Sequence, residues 1–85
     1  MAQPRRRTTQ HPDIMPTIAG VASAFRDRRL RLRMTQQVLA DLAGVSRSTV
    51  QAAEHGNGSV SIGAVGQIAE ALGLILLASP AISDQ

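Results

Sequence analysis

From residue 17 onward apolar and polar positions alternate with a helical period, in stretches separated by glycine. On a wheel of about 100° per residue, Ile18, Val21 and Leu32 fall within about 40° of Phe25, which predicts a first helix with Thr17 as its N-cap. Arg29 falls on the same apolar stripe, a cation among core positions. Thr35 is placed to cap a second helix, whose apolar face is Val38, Leu39, Leu42 and Ala43 and whose end is Gly44. Ser46 caps a third, short helix that reaches Glu54 or His55 before Gly56. After the turn-rich segment Gly56-Asn57-Gly58-Ser59, Ser61 caps a fourth helix with Ile62, Val65, Ile68, Ala69 and Leu72 on one arc, terminated at Gly73. Leu74-Ile75-Leu76-Leu77, bounded by Gly73 and Pro80, predicts a short strand, with a further helical turn as the alternative. Residues 1–16 carry three of the four prolines and the run Arg5-Arg6-Arg7 without any period, and are expected to be a flexible basic arm. The predicted organisation is therefore arm 1–16, helical domain 17–73, and strand with short tail 74–85.

Composition narrows what such a domain does. At 85 residues and 9.0 kDa the chain is one small domain, whose core is marginal alone. Cysteine is absent, which excludes disulfides, thiolate zinc and a cysteine nucleophile. His11 and His55 lack ligand spacing, so neither a metal nor a cofactor is expected. Oligomerisation is the remaining means of support. Phe25 is the single aromatic residue, which excludes a stacking platform for single-stranded nucleic acid. All nine basic residues are arginine, and eight lie in residues 1–33 against only Asp13 and Asp27. That asymmetry points to a polyanionic partner. The apolar run from Leu72 to Ala78 is far short of the roughly 20 residues that span a bilayer. The arm has no apolar segment behind its basic stretch. A cytoplasmic, nucleoid-associated protein is expected, with no membrane contact.

The third helix holds the most chemistry. Arg47, Ser48, Gln51, Ala52 and His55 share one arc of the wheel, and Thr49, Val50, Ala53 and Glu54 the opposite one. Arginine suits guanine, glutamine suits adenine, and serine bonds either way. Most amphipathic helices have a polar face that reads nothing. What distinguishes this one is the preceding short helix and its Gly44 turn, which together make a helix-turn-helix unit.

The run Thr35-Gln36-Gln37-Val38-Leu39-Ala40-Asp41-Leu42-Ala43-Gly44-Val45-Ser46-Arg47-Ser48-Thr49-Val50-Gln51-Ala52-Ala53-Glu54-His55-Gly56 resembles the helix-turn-helix of the Xre family, that of the lambdoid phage repressors and Cro. The pattern of TQ, LA, GVS, an aliphatic, E and G matches without a gap, and the resemblance extends over about residues 20–85. It implies an all-α, lambda repressor-like bundle of four to five helices. Gln36 is then a clamp on the DNA backbone. Arg47, Ser48, Gln51 and Ala52 face bases. Ser46 is divided between capping and a phosphate contact. Exposed Arg26 and Arg28 are assigned to phosphates, as are the backbone N–H groups near Ser59 and Ser61 in a loop without Lys or Arg. The resemblance also implies that Arg29 and Glu54, both pointing inward, form an internal ion pair, since a buried charge must be paired. Two positions depart from the family: Arg33 stands where glycine usually ends the first helix, and Ala53 is small where a bulky residue usually precedes the Glu.

The tail resembles the HipB-type antitoxins, whose last segment is a strand paired across the dimer axis. That implies dimerisation through Leu74, Ile75, Leu76 and Leu77, while a fifth helix would follow the phage repressors. The expectation is a homodimeric repressor on a palindromic double-stranded operator, with the antitoxin of a HipA-like kinase toxin as the leading elaboration. A stand-alone regulator is the nearest rival. A nonspecific basic nucleic-acid coat is a rival of another class. An enzyme is disfavoured: Glu54 and His55 are adjacent on a helix and diverge by about 100°.

Overall fold

The computed structural model describes residues 16–80, which form four helices: α1 (Pro16–Arg31), α2 (Gln36–Ala43), α3 (Arg47–His55) and α4 (Ile62–Ala71). Three of the four start at the predicted hydroxyl. Thr35, Ser46 and Ser61 are extended residues whose side-chain oxygens accept the N–H of Val38, Thr49 and Ala64. Each such cap contributes about 1 kcal/mol over alanine. Gly44 and Gly56 close α2 and α3 at φ 74° and 84°, where a Cβ would be strained.

The ends of α1 depart from simple expectation. The helix starts at Pro16, so Thr17 sits inside the first turn and is not the cap. Proline has no N–H to leave unsatisfied there and its φ is already helical. At the other end Arg33 adopts φ 60°. Its N–H donates to the Leu30 carbonyl at 3.0 Å, and the Met34 N–H donates to the Arg29 carbonyl at 3.1 Å. This is a glycine-type helix stop made by a residue with a side chain, at a cost of roughly 1–2 kcal/mol.

α3 is the centre of the packing, in contact with α1, α2 and α4. Phe25, Leu39, Val50, Ile68 and Leu72 are fully enclosed, and Ala40, Ala43, Ala53 and Ala69 fill the space between them. Small residues on the inner faces of α2 and α3 let the two helices approach closely.

Several apolar residues lie outside this core. Leu32 follows the last turn of α1, where the wheel no longer applies, and is exposed. On α2 the buried face is Leu39, Ala40 and Ala43, so Val38 and Leu42 turn outward at 46% and 62% exposure. Two turns of helix define an apolar arc poorly, and Ala40 shifts its centre away from both residues. Ile62 lies at the first position of α4, beyond the end of the core, and is 87% exposed. It borders an open apolar groove of about 510 Å³ lined also by Ile18, Val21, Val65 and Leu77.

Gly73 takes φ 70° after α4, and the Leu74 N–H returns to the Ala69 carbonyl at 2.9 Å. Residues 74–80 then continue without helix or strand, so no fifth helix begins there. Leu74 packs on the core, Leu76 is 42% exposed, and Ile75 and Leu77 are 82% and 89% exposed. Exposure within the run is therefore greatest at Ile75 and Leu77, and Leu74 alone of the four packs on the core. The arm, apart from Pro16, and residues 81–85 lie outside the described residues. No helix is long and apolar enough to cross a membrane among the described residues.

Candidate nucleic-acid interface

The turn between α2 and α3 is held by the Ala40 carbonyl, which accepts the N–H groups of Gly44 at 2.9 Å and Val45 at 3.1 Å. It leaves α3 with Val50 and Ala53 buried, and with Arg47, Ser48, Gln51 and His55 exposed on the other side. Ala52 is half-buried at the edge of that exposed face. The candidate base-reading residues therefore share one surface.

The inner side of α3 is fixed by charge. Arg29 Nε donates to Glu54 Oε2 at 2.7 Å, Nη2 to Glu54 Oε1 at 3.0 Å, and Nη1 to the Met34 carbonyl at 2.8 Å. The two side chains are 11% and 4% exposed. A two-pronged contact of this kind is the geometry in which a buried pair recovers its desolvation cost best. Gln36 adds a third donor, its Nε2 reaching Glu54 Oε1 at 3.2 Å. One carboxylate thus joins the end of α1, the start of α2 and the last turn of α3. Gln36 keeps a second N–H beyond this bond, at the helix terminus where an anion would approach.

The other assigned residues are placed as follows. Arg26 is exposed on α1. Arg28, assigned to a phosphate as an exposed residue, is half-buried, and its Nε donates to the Leu72 carbonyl at 2.9 Å. There it neutralises an open carbonyl at the C-terminal end of α4. Ser46 caps α3, and its Oγ lies 3.0 Å from Ser48 Oγ and 2.8 Å from Thr49 Oγ1. The Ser59 N–H and Oγ–H both go to Asn57 Oδ1, at 2.8 and 2.7 Å, so the N–H assigned to a phosphate is already used. Ser61 Oγ accepts the Ala64 N–H, which leaves its own O–H available.

Sequence reasoning missed the Gln36–Glu54 bond, the Arg28–Leu72 link and the place of Thr49 in the hydroxyl chain. Only the last had a local signal: Thr49 stands three residues after the cap, the spacing at which a polar side chain meets the capping oxygen.

The helix-turn-helix family profile matches residues 25–75. No curated protein matches. Among solved structures, a chain described as "MDT Protein" is similar at 18% identity and TM-score 0.68, covering 91% of this chain and 99% of that one. A chain from a "Structure of HipA-HipB-O2-O3 complex" is similar at 17% identity and TM-score 0.67, covering 89% of this chain and 97% of that one. These likenesses concern the fold. With α2 and α3 forming the two helices and Gly44 the turn between them, the chain belongs to the helix-turn-helix family of DNA-binding regulators, in its Xre-like form.

Proposed function

We propose that the protein is a homodimeric repressor that binds a palindromic double-stranded operator through α3. The carrying observation is the division of that helix. One side is locked to α1 and α2 by the buried Arg29–Glu54–Gln36 cluster, and the other exposes Arg47, Ser48 and Gln51. Rigid placement of a short polar face is what base reading requires and what a nonspecific coat has no use for. Gln36, Arg26 and the open N–H groups at the starts of α2 and α4 would hold phosphates around it.

Dimerisation is assigned to Leu74–Leu77. Leu74 faces its own core while Ile75 and Leu77 face out, so an antiparallel mate would pair the backbone and cover the two exposed side chains. The resemblance of this tail to HipB-type antitoxins, with the fold likeness to a chain from a HipA-HipB-O2-O3 complex, favours a second role as antitoxin of a HipA-like kinase. The product of the adjacent gene identifies such a partner, and co-purification with it tests that role.

The DNA reading is tested by selecting from random duplexes with the full chain. The expected product is a two-fold related motif with half-sites one helical turn apart, roughly 34–36 Å. It should be bound at least about 10³-fold more tightly than random sequence. Failure to enrich any motif, with equal affinity for all duplexes, would return the protein to the nonspecific class.

A further inference from the structure

Two neighbouring arginines of α1 reach in different directions. Adjacent positions on a helix diverge by about 100°, so Arg28 and Arg29 serve different elements. Arg29 turns to α3, where its Nε lies 2.7 Å from Glu54 Oε2. Arg28 turns to the end of α4, where its Nε donates to the Leu72 carbonyl at 2.9 Å, across 44 positions of sequence. That carbonyl belongs to the peptide that leads into Gly73. Gly73 takes φ 70°, and a Cβ added there would lie 3.6 Å from Arg28 Nη2. The guanidinium therefore lies against the point where the tail leaves the helix.

The tail itself runs between α1 and α4. Leu74, Ile75 and Leu76 border one cleft with Gly66, Ala69 and Glu70 of α4. The same tail residues border a second cleft with Gly20, Val21 and Ala24 of α1. α1 packs chiefly on α3, and α4 on α2. Among the described residues, the Arg28 bond is the one hydrogen bond that joins α1 to residues 72–80. It is charge-assisted, and so directional and strong for a single contact.

We infer that Arg28 is a positioning residue for DNA binding: through α1 it ties the recognition helix to the dimerisation tail, and so sets the separation and angle of the two recognition helices in the dimer. The route runs from Glu54 of α3 to Arg29, along α1 to Arg28, and through the Leu72 carbonyl into the tail. This inference rests on the proposed function, in which α3 reads bases and the tail pairs two copies. It gives Arg28 an effect exerted through the dimer in place of a phosphate contact. A dimer holds two half-sites more tightly than one only when its geometry lets both engage at once. The effect of Arg28 therefore shows in the two-site complex and in the spacing that complex tolerates.

The test uses the full-length protein and a two-fold duplex that it has itself selected from a random library. The comparison duplexes carry one half-site, random sequence, or one base pair inserted or removed between the half-sites. Arg28→Gln places an amide nitrogen where Nε stood, and Arg28→Met places a methyl group there. Both variants are neutral, so they differ in the donor and not in charge. In Arg28→Met the ratio of two-site to one-site affinity should fall by about tenfold. The altered spacings should weaken the parent by at least about tenfold and Arg28→Met by less than about threefold. Arg28→Gln should stay within about twofold of the parent on both measures. The inference is overturned if Arg28→Met keeps the ratio and the spacing preference of the parent. It is overturned if both variants lose affinity equally on two-site, one-site and random duplexes, the mark of a phosphate contact. A folded Arg28→Met that sediments as a monomer overturns it as well, because Arg28 would then hold the dimer together and not align it. Should Arg28→Met fail to fold, Arg28→Gln decides: a parental ratio and spacing preference support the inference, and their loss overturns it. A parent that is monomeric or selects no two-fold motif is a separate outcome, which removes the proposed function and this inference with it.

Discussion

The ion pair between Arg29 and Glu54 gives the sharpest quantitative test of the fold. Glu54 accepts three bonds, two from Arg29 and one from Gln36, with its side chain 4% exposed. Replacing Arg29 by Met would leave that carboxylate in the interior with one neutral donor. Replacing Glu54 by Gln would leave a guanidinium, 11% exposed, with its bond to the Met34 carbonyl and a neutral amide in place of its counter-charge. Breaking a buried pair from one side costs about 3–5 kcal/mol, because the remaining charge is stranded. The more enclosed partner is Glu54, so Arg29→Met should be the more damaging change. A domain of this size has a total stability of about 5–10 kcal/mol, so either single change consumes a large part of it. Once one partner is gone, removing the other relieves the stranded charge. The loss in the double variant should therefore be well below the sum of the single losses, with a coupling of about 2–3 kcal/mol. Urea unfolding of the four proteins at one fixed chain concentration measures this, the concentration being held because the proposed dimerisation would contribute to the apparent stability. Losses that add to within about 0.5 kcal/mol would refute the reasoning.

Three further outcomes follow from other parts of the molecule. Arg33→Gly should stabilise the chain by up to about 1 kcal/mol in the same unfolding assay, since the left-handed conformation costs arginine more than it costs glycine; a destabilisation would mean that the Arg33 side chain makes a contact worth more than its strain. Arg47→Ala should cost about 1–3 kcal/mol on a selected duplex and much less on random DNA, and equal losses on both would reassign Arg47 to a phosphate. Ile75→Pro removes a ladder donor and should give a monomer by sedimentation that keeps its helical circular dichroism, whereas a persistent dimer would place the interface elsewhere, with Ile62 and the apolar groove the next surface to test.

What could be read in advance was local or followed from charge. Thr35, Ser46 and Ser61 announce their helices because a hydroxyl three residues before an open N–H is a self-contained device. The exposed face of α3 was legible because its nine residues divide cleanly around the wheel. Arg29 and Glu54 stood out as charges at core positions, and neither had a partner nearby in sequence. Less could be read where the partner is a distant backbone atom. Nothing in the neighbourhood of Arg28 indicates that its guanidinium finds the carbonyl of Leu72. The outward turn of Val38 and Leu42 was hidden for another reason. Alanine at 40 counts as weakly apolar by composition, yet its smallness is what lets α3 pack there and turns α2 around it.

That reliance on alanine bears on what the ion pair is for. Among the described residues, half of those that form the buried apolar core are alanines: Ala22, Ala40, Ala43, Ala53 and Ala69 beside Phe25, Leu39, Val50, Ile68 and Leu72. Alanine-lined helix faces slide past one another with little change in buried area, because no large side chain has to leave its slot. Area alone therefore fixes the rotation of α3 weakly. A two-pronged contact from Arg29 and a bond from Gln36 fix it strongly, because each requires a distance and an angle. We therefore expect stability and DNA reading to separate in a variant that replaces the whole pair with apolar residues, Arg29→Met with Glu54→Leu. Well-packed substitutes for a buried ion pair are often neutral or stabilising, so this variant should unfold within about 1–2 kcal/mol of the parent. Its affinity for the selected duplex should nevertheless fall by an order of magnitude or more, while its weak binding to random DNA stays the same, because phosphate contacts tolerate small rotations that base contacts do not. A stable variant that keeps its full discrimination would show that the alanine core alone sets the pose of the helix, and that the ion pair has no part in reading DNA.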